Sequence, residues 1–217
     1  MMPPKKAIIF DLDGTLVDNA ASFEKGYRAF CNKHPNLLQP QNSETQKLMV
    51  RLYRSGFSQE IYQELAQKVA PEAFLPLSDL QQEWGMTYAS NAVPFPDAEE
   101  TILYLRRKGY KIGLLTNGNS ERQWAKIHSC GLMQYFDHIV VSGDLQIEKP
   151  DPAIYQLSLA GLGIQASEAL FVGDTVETDI DGAKRAGIDS LWLTQGTANT
   201  AGATFLAKSV SYLKEIL

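Results

Sequence analysis

Short runs of consecutive apolar residues recur along the chain, and each passes directly into a polar, turn-forming segment. Ala7-Ile8-Ile9-Phe10 leads into DLDGT, residues 112–115 into TNG, 139–141 into SGD, and 169–172 into GDT; residues 190–193 form a fifth run. Runs that are apolar without alternation suit strands covered on both faces, which is the setting of a parallel sheet. Between them lie helical patterns with readable ends. Asp151-Pro152 places a capping side chain before a proline at the first helical position, and Gly131 and Gly187 close the patterns that begin at Ser120 and Thr175. Strand and helix in alternation predict a doubly wound, Rossmann-like α/β sheet.

One stretch breaks the alternation. From Asn19 to Val93 no strand pattern appears. Ser43-Glu44-Thr45-Gln46 has the form of a capping box ahead of Leu48, Met49, Leu52 and Tyr53. Phe57, Ile61, Leu65 and Val69 recur every four residues, the spacing of one helix face. The expectation is an all-helical cap at 19–93 inserted into an α/β core made of 1–18 and 94–217. Pro94-Phe95-Pro96 would form a stiff return linker. A length of 217 residues accommodates one full core and one small unit of this kind.

Composition narrows the possible partners. The chain is 44% hydrophobic and 21% charged, as ordinary globular proteins are. Its 25 acidic and 20 basic residues give a net charge of −5, and its basic runs are as short as Arg106-Arg107-Lys108. A nucleic-acid polymer is therefore not expected as partner, since such binding rests on phosphate neutralisation over a broad positive surface. A small anion stays open, because the local field governs its capture. Cys31 and Cys130 have no metal-ligand spacing, and His34, His128 and His138 form no cluster in sequence. The opening MMPPKKAIIF is too short in apolar residues for a signal peptide, and no run approaches the ~20 of a membrane span. No membrane partner and a cytoplasmic location are expected.

In an open parallel sheet, ligands gather beyond the carboxyl ends of the strands. At that edge the pattern delivers Asp11 and Asp13, then Thr116 and Asn117, then Lys149, then Asp174, with Asp179 five residues further on. Taken singly, each has a plain structural reading. Asp-Gly is ordinary turn chemistry, Thr116 could cap a helix, Lys149 could be solvated, and Asp174 and Asp179 could favour a helix start. Asp11 and Asp13 are two apart and share one side if the chain stays extended, and carboxylates so close repel one another and call for a counter-charge. A divalent cation supplies it, and hard oxygen donors favour magnesium.

In this order the segments resemble the motifs of the haloacid dehalogenase-like hydrolase superfamily. They are FDLDGTLVD at 10–18, LLTNG at 114–118, EKPDPAIY at 148–155 and GDTVETDIDGAKRAG at 173–187. The resemblance implies a phosphatase for a small phosphorylated metabolite, such as a nucleoside monophosphate, a sugar or sugar-acid phosphate, or phosphoglycolate. Asp11 would be the nucleophile, forming an aspartyl-phosphate and ligating Mg2+. Asp13 would give its backbone carbonyl to the metal and its carboxyl to proton transfer. Thr116 and Asn117 would hold phosphoryl oxygens, and Lys149 would pair with Asp11 and the transferred group. Asp174 would bind the metal, and Asp179 would act on it through water or at one remove. The cap would close over the site as a lid.

Two alternatives share much of this set. A phosphomutase of the same superfamily would keep these residues, yet Asn19-Ala20-Ala21-Ser22 offers no histidine like that common in the related sugar phosphomutases. A phospho-accepting receiver domain of signalling systems would share the sheet and the acids, but places its phosphorylated aspartate on a middle strand and has no helical insert. A dehalogenase fits poorly, because those relatives lack the second aspartate, here Asp13. Relatives also often carry a glycine near position 146, where this chain has Gln146.

Overall fold

The computed structural model describes residues 4–35, 37–69, 75–194 and 201–217. Two compact units emerge, one formed by 1–18 with 94–217 and the other by Asn19–Val93.

Among the described residues the first unit is built on six parallel strands: β1 (Ala7–Phe10), β2 (Lys111–Thr116), β3 (His138–Val141), β4 (Ala169–Gly173), β5 (Asp189–Leu193) and β6 (Phe205–Ala207). Their order is β3-β2-β1-β4-β5-β6. The chain thus runs outward from β1 to one side and later returns to its other side, which makes the carboxyl end of β1 a topological switch point. Every residue of β1 is buried, as the unbroken apolar run requires. Alternation sends Ala7 and Ile9 to one face, where they join Leu115, Val140, Ile154, Leu159 and Phe171 in a continuous core. Each such large side chain contributes about 1.5–3 kcal/mol on burial. The doubly wound, Rossmann-like architecture read from the sequence is the one observed.

Helices cover this sheet: α5 (Ala98–Arg107), α6 (Ser120–Ser129), α7 (Pro152–Leu162), α8 (Asp181–Arg185) and α9 (Leu213–Ile216) follow the four of the second unit. The Asp151 side chain accepts from the Ala153 amide and Pro152 opens α7, as the sequence indicates. The helix expected from Thr175 is different. Residues Val176–Ile180 form a widened π-helical turn and only Asp181–Arg185 are α-helical. Pro94 is no free linker: it bridges Val17, and the Phe95 amide donates to the Leu16 carbonyl at 2.8 Å.

The second unit comprises α1 (Asn19–Lys33), α2 (Ser43–Arg54), α3 (Gln59–Ala66) and α4 (Leu77–Ser90). Phe23, Tyr27, Phe30, Leu48, Met49, Leu52 and Trp84 meet in its core. The capping-box expectation shifts by one residue, since Asn42 rather than Ser43 caps α2, accepting from the Glu44 and Thr45 amides. The four-residue repeat from Phe57 to Val69 also does not make one helix. Gly56 and Phe57 both have positive φ, and the Phe57 amide closes α2 on the Leu52 carbonyl at 2.8 Å, so α3 begins only at Gln59. Among the described residues no helix is long and apolar enough to cross a membrane.

Candidate active site

Asp11 is the first residue beyond β1, its amide bonded to the Val172 carbonyl at 2.9 Å. The neighbouring strand β4 ends at Gly173, and Asp174 follows. Parallel pairing of β1 with β4, Phe10 opposite Val172, therefore brings the two acids to the same edge. Asp179 returns to that edge through the π-helical turn, where its Oδ2 accepts from the Asp174 and Thr175 amides at 3.1 and 3.0 Å. One carboxylate oxygen from each of Asp11, Asp174 and Asp179 lies within 4.8 Å of the others.

Two glycines make this crowding possible. Gly14 has φ +82°, and a β-carbon there would stand 2.2 Å from the Asp174 Oδ2. A β-carbon on Gly173 would stand 2.4 Å from the Cβ of Asp179. Trp192 fixes the end of β4 from the side, its indole N–H donating to the Asp174 carbonyl at 2.8 Å.

Lys149 supplies the counter-charge. It is 3% exposed, and its Nζ lies 2.6 Å from Asp11 Oδ1 and 2.7 Å from Asp179 Oδ1. Burial works against its charge, but Asp11 and Asp179 more than offset that and hold the ammonium pKa above its usual value. The same burial pushes the Asp11 carboxyl up to about 7 against the pull of Lys149, with Asp179 adding to the rise. Asp174 is raised too, by desolvation first and then by Asp179. One lysine thus leaves the cluster short of positive charge. Three hard oxygen donors with unbalanced negative charge fit a small divalent cation.

The remaining residues singled out from the sequence sit around this cluster in distinct ways. The Asn117 side chain braces the lysine loop: its Nδ2 donates to the Lys149 carbonyl and its Oδ1 accepts from the Lys149 amide, both at 2.8 Å. Thr116 is buried at the end of β2 and does not cap the next helix; Asn119 does, accepting from the Arg122 amide at 3.2 Å. The Asp13 carboxylate lies outside the three-acid cluster. It is held by Lys126 Nζ at 2.7 Å to each oxygen and by Gln123 Nε2 at 2.9 Å. Gln123 also reaches Thr116 Oγ1 at 2.6 Å and the Asn117 carbonyl at 2.9 Å.

Gln123 and Lys126 are functional candidates that the sequence reading passed over. Their signal is faint: a glutamine and a lysine three apart on the helix that follows TNG, hence on one face.

Comparison with known proteins agrees with this geometry. The model for haloacid dehalogenase-like hydrolases matches residues 5–187. A glyceraldehyde 3-phosphate phosphatase of Pyrococcus abyssi is 32% identical over 198 residues, covering 88% of this chain and 82% of the relative. The N-acylneuraminate-9-phosphatase of Homo sapiens is 28% identical over 211 residues, covering 87% and 82%. A magnesium-bound HAD-hydrolase from Bacillus subtilis shares the fold, with a TM-score of 0.73 at 20% identity over 99% of both chains. With most of its length matched and its acids gathered at the switch point of the sheet, the chain belongs to the haloacid dehalogenase-like hydrolases.

Proposed function

We propose that this protein is a magnesium-dependent phosphomonoesterase for a small soluble phosphorylated metabolite, with Asp11 as nucleophile. The observation that carries the reading is the setting of Asp11: a buried carboxylate at the end of β1, paired with Lys149 and flanked by Asp174 and Asp179. Relatives named for glyceraldehyde 3-phosphate and N-acylneuraminate 9-phosphate support the substrate class.

An oxygen of Asp11 attacks phosphorus, the P–O bond to the leaving alcohol breaks, and Asp13 gives that oxygen its proton. The product is an acyl phosphate on Asp11. Water then attacks phosphorus, Asp13 takes back a proton, and phosphate departs with the Asp11 carboxylate restored. Lys149 stands against Asp11 and steadies charge on the transferred group. The Thr116 hydroxyl and the Asn117 main-chain N–H hold phosphoryl oxygens, the Asn117 side chain being committed to the Lys149 backbone. Asp11, Asp174 and the Asp13 carbonyl would hold magnesium, with Asp179 steadying the site through Lys149 and the Asp174 amide. The ion supplies positive charge that offsets repulsion between a carboxylate and a phosphate dianion.

Phosphate release from a panel of sugar, sugar-acid, nucleoside and glycolate monoesters, with magnesium and with chelator, tests the reading. Activity should require magnesium and vanish in Asp11→Asn. A wild-type protein inert across the panel, or an Asp11→Asn variant that still turns over, would overturn it.

A further inference from the structure

The clamp on Asp13 has no part in the roles assigned so far. Gln123 and Lys126 lie on one face of α6 and are 2% and 7% exposed. A lysine that buried is unusual, and it must be paired. Lys126 meets both oxygens of Asp13 at equal distance, and Gln123 adds a third bond to Oδ2, so the plane of the carboxylate is fixed as well as its position. The Gln123 amide has two N–H groups and faces three acceptors, namely Asp13 Oδ2, Thr116 Oγ1 and the Asn117 carbonyl. The carboxyl after β1 and the hydroxyl at the end of β2 are therefore tied to a single donor.

Stability is a poor reason for such an arrangement. The Asp13 side chain is 30% exposed, so water screens its attraction to Lys126, while the buried lysine still gives up its own hydration. Leucine and methionine on this face of α6 would pack against the sheet without desolvating charge. The clamp makes sense where the direction of one carboxyl matters.

We propose that Lys126 and Gln123 are positioning residues for Asp13, holding its carboxyl in the orientation from which it serves the leaving-group oxygen. This rests on the phosphatase reading above, in which Asp13 carries that proton. An alkoxide leaving group needs the proton as the P–O bond breaks, whereas 2,4-dinitrophenolate leaves without it. Loss of orientation should thus be felt by one ester and not by the other.

The experiment compares kcat/KM for glycerol phosphate and 2,4-dinitrophenyl phosphate in wild type, Lys126→Met, Lys126→Arg and Gln123→Leu, with magnesium saturating. General acid catalysis contributes about 10²–10⁴-fold, so Lys126→Met should lose at least about tenfold on the alkyl ester and less than about threefold on the aryl ester. Lys126→Arg should recover most of that loss, since a guanidinium can also bond both oxygens. Gln123→Leu should show the same selectivity in weaker form, and it carries the test if Lys126→Met does not fold. Equal loss on both esters, no loss, or a gain on the alkyl ester would overturn the positioning role alone. If wild type is inert on glycerol phosphate, the panel ester it hydrolyses fastest takes that place; a wild type inert on both esters and across the panel would instead overturn the phosphatase reading, and this inference with it.

Discussion

Replacing Lys149 by methionine removes one charge from the most crowded part of the molecule and leaves its volume nearly unchanged. Asp11 and Asp179 lose their shared ammonium partner, now 2.6 and 2.7 Å away, while Asp174 stays within 4.8 Å of both. At that separation, and with an effective dielectric constant of about 20, each pair of carboxylates repels by about 3 kcal/mol. Proton uptake by one carboxyl limits the total, so the expected cost is about 3–5 kcal/mol, the usual range for breaking a buried pair. For a chain of this size that lowers the melting temperature of the metal-free protein by about 6–20 °C. Magnesium should reverse much of the loss. A divalent ion at 100 times its Kd stabilises by about 2.7 kcal/mol, and the variant, with a more negative cluster, should bind it more tightly than wild type does. Thermal melts of both proteins in chelator and in magnesium make the comparison. If Lys149→Met melts with wild type in chelator, or if magnesium shifts the two by the same amount, the lysine is not the counter-charge of this cluster.

Burial raises the Asp11 carboxyl to about 7, so folded protein holds a proton there that the unfolded chain, near 3.9, has released. The stabilisation is complete below the unfolded value and lost as pH rises through about 7; urea midpoints in chelator should fall across that window, and Asp11→Asn should abolish this component. Gly173→Ala should displace Asp179, whose Cβ lies 2.4 Å from the new methyl, and cost about 1–3 kcal/mol from overpacking; isothermal titration should show weakened magnesium binding, and unchanged affinity would refute the steric account. Trp84→Ala should cost about 3–5 kcal/mol, since Trp84 is fully buried among Phe23, Phe30 and Tyr88. Hydrogen exchange should quicken in α1 and α4 while β1 and β4 keep their protection; equal loss in both units would show that they unfold as one.

Legibility in the sequence followed the physics of each element. Central strands were readable because burial on both faces forces an unbroken apolar run, as in Ala7–Phe10. The edge strand β6 was not, being three half-buried residues whose partner lies in β5. Phe57 misled for a related reason. Its spacing from Ile61 and Leu65 is helical, yet its side chain reaches the core from a left-handed backbone that ends α2, a conformation apolar periodicity does not encode. The acids at strand ends were readable because few other roles place carboxylates beyond so many apolar runs. Gln123 and Lys126 look like any solvated pair on an amphipathic helix, and become special only when Asp13, 110 and 113 residues earlier, arrives beside them.

Charge also explains why the two lysines divide the acids as they do. Lys149 serves Asp11 and Asp179, and Lys126 serves Asp13. The Asp174 side chain accepts from the Thr175 hydroxyl at 3.1 Å. Four carboxylates against two ammonium groups leave two negative charges, the complement of one divalent cation. Burial first, and the neighbouring Asp179 carboxylate after it, raises both Asp11 and Asp174. A third lysine at the cluster would halve that charge and weaken the pull on a divalent cation. Lys126 is bonded to both oxygens of Asp13 and Lys149 to two of the three clustered acids, so under the proposed reading the charge left on the cluster would be met by the ion.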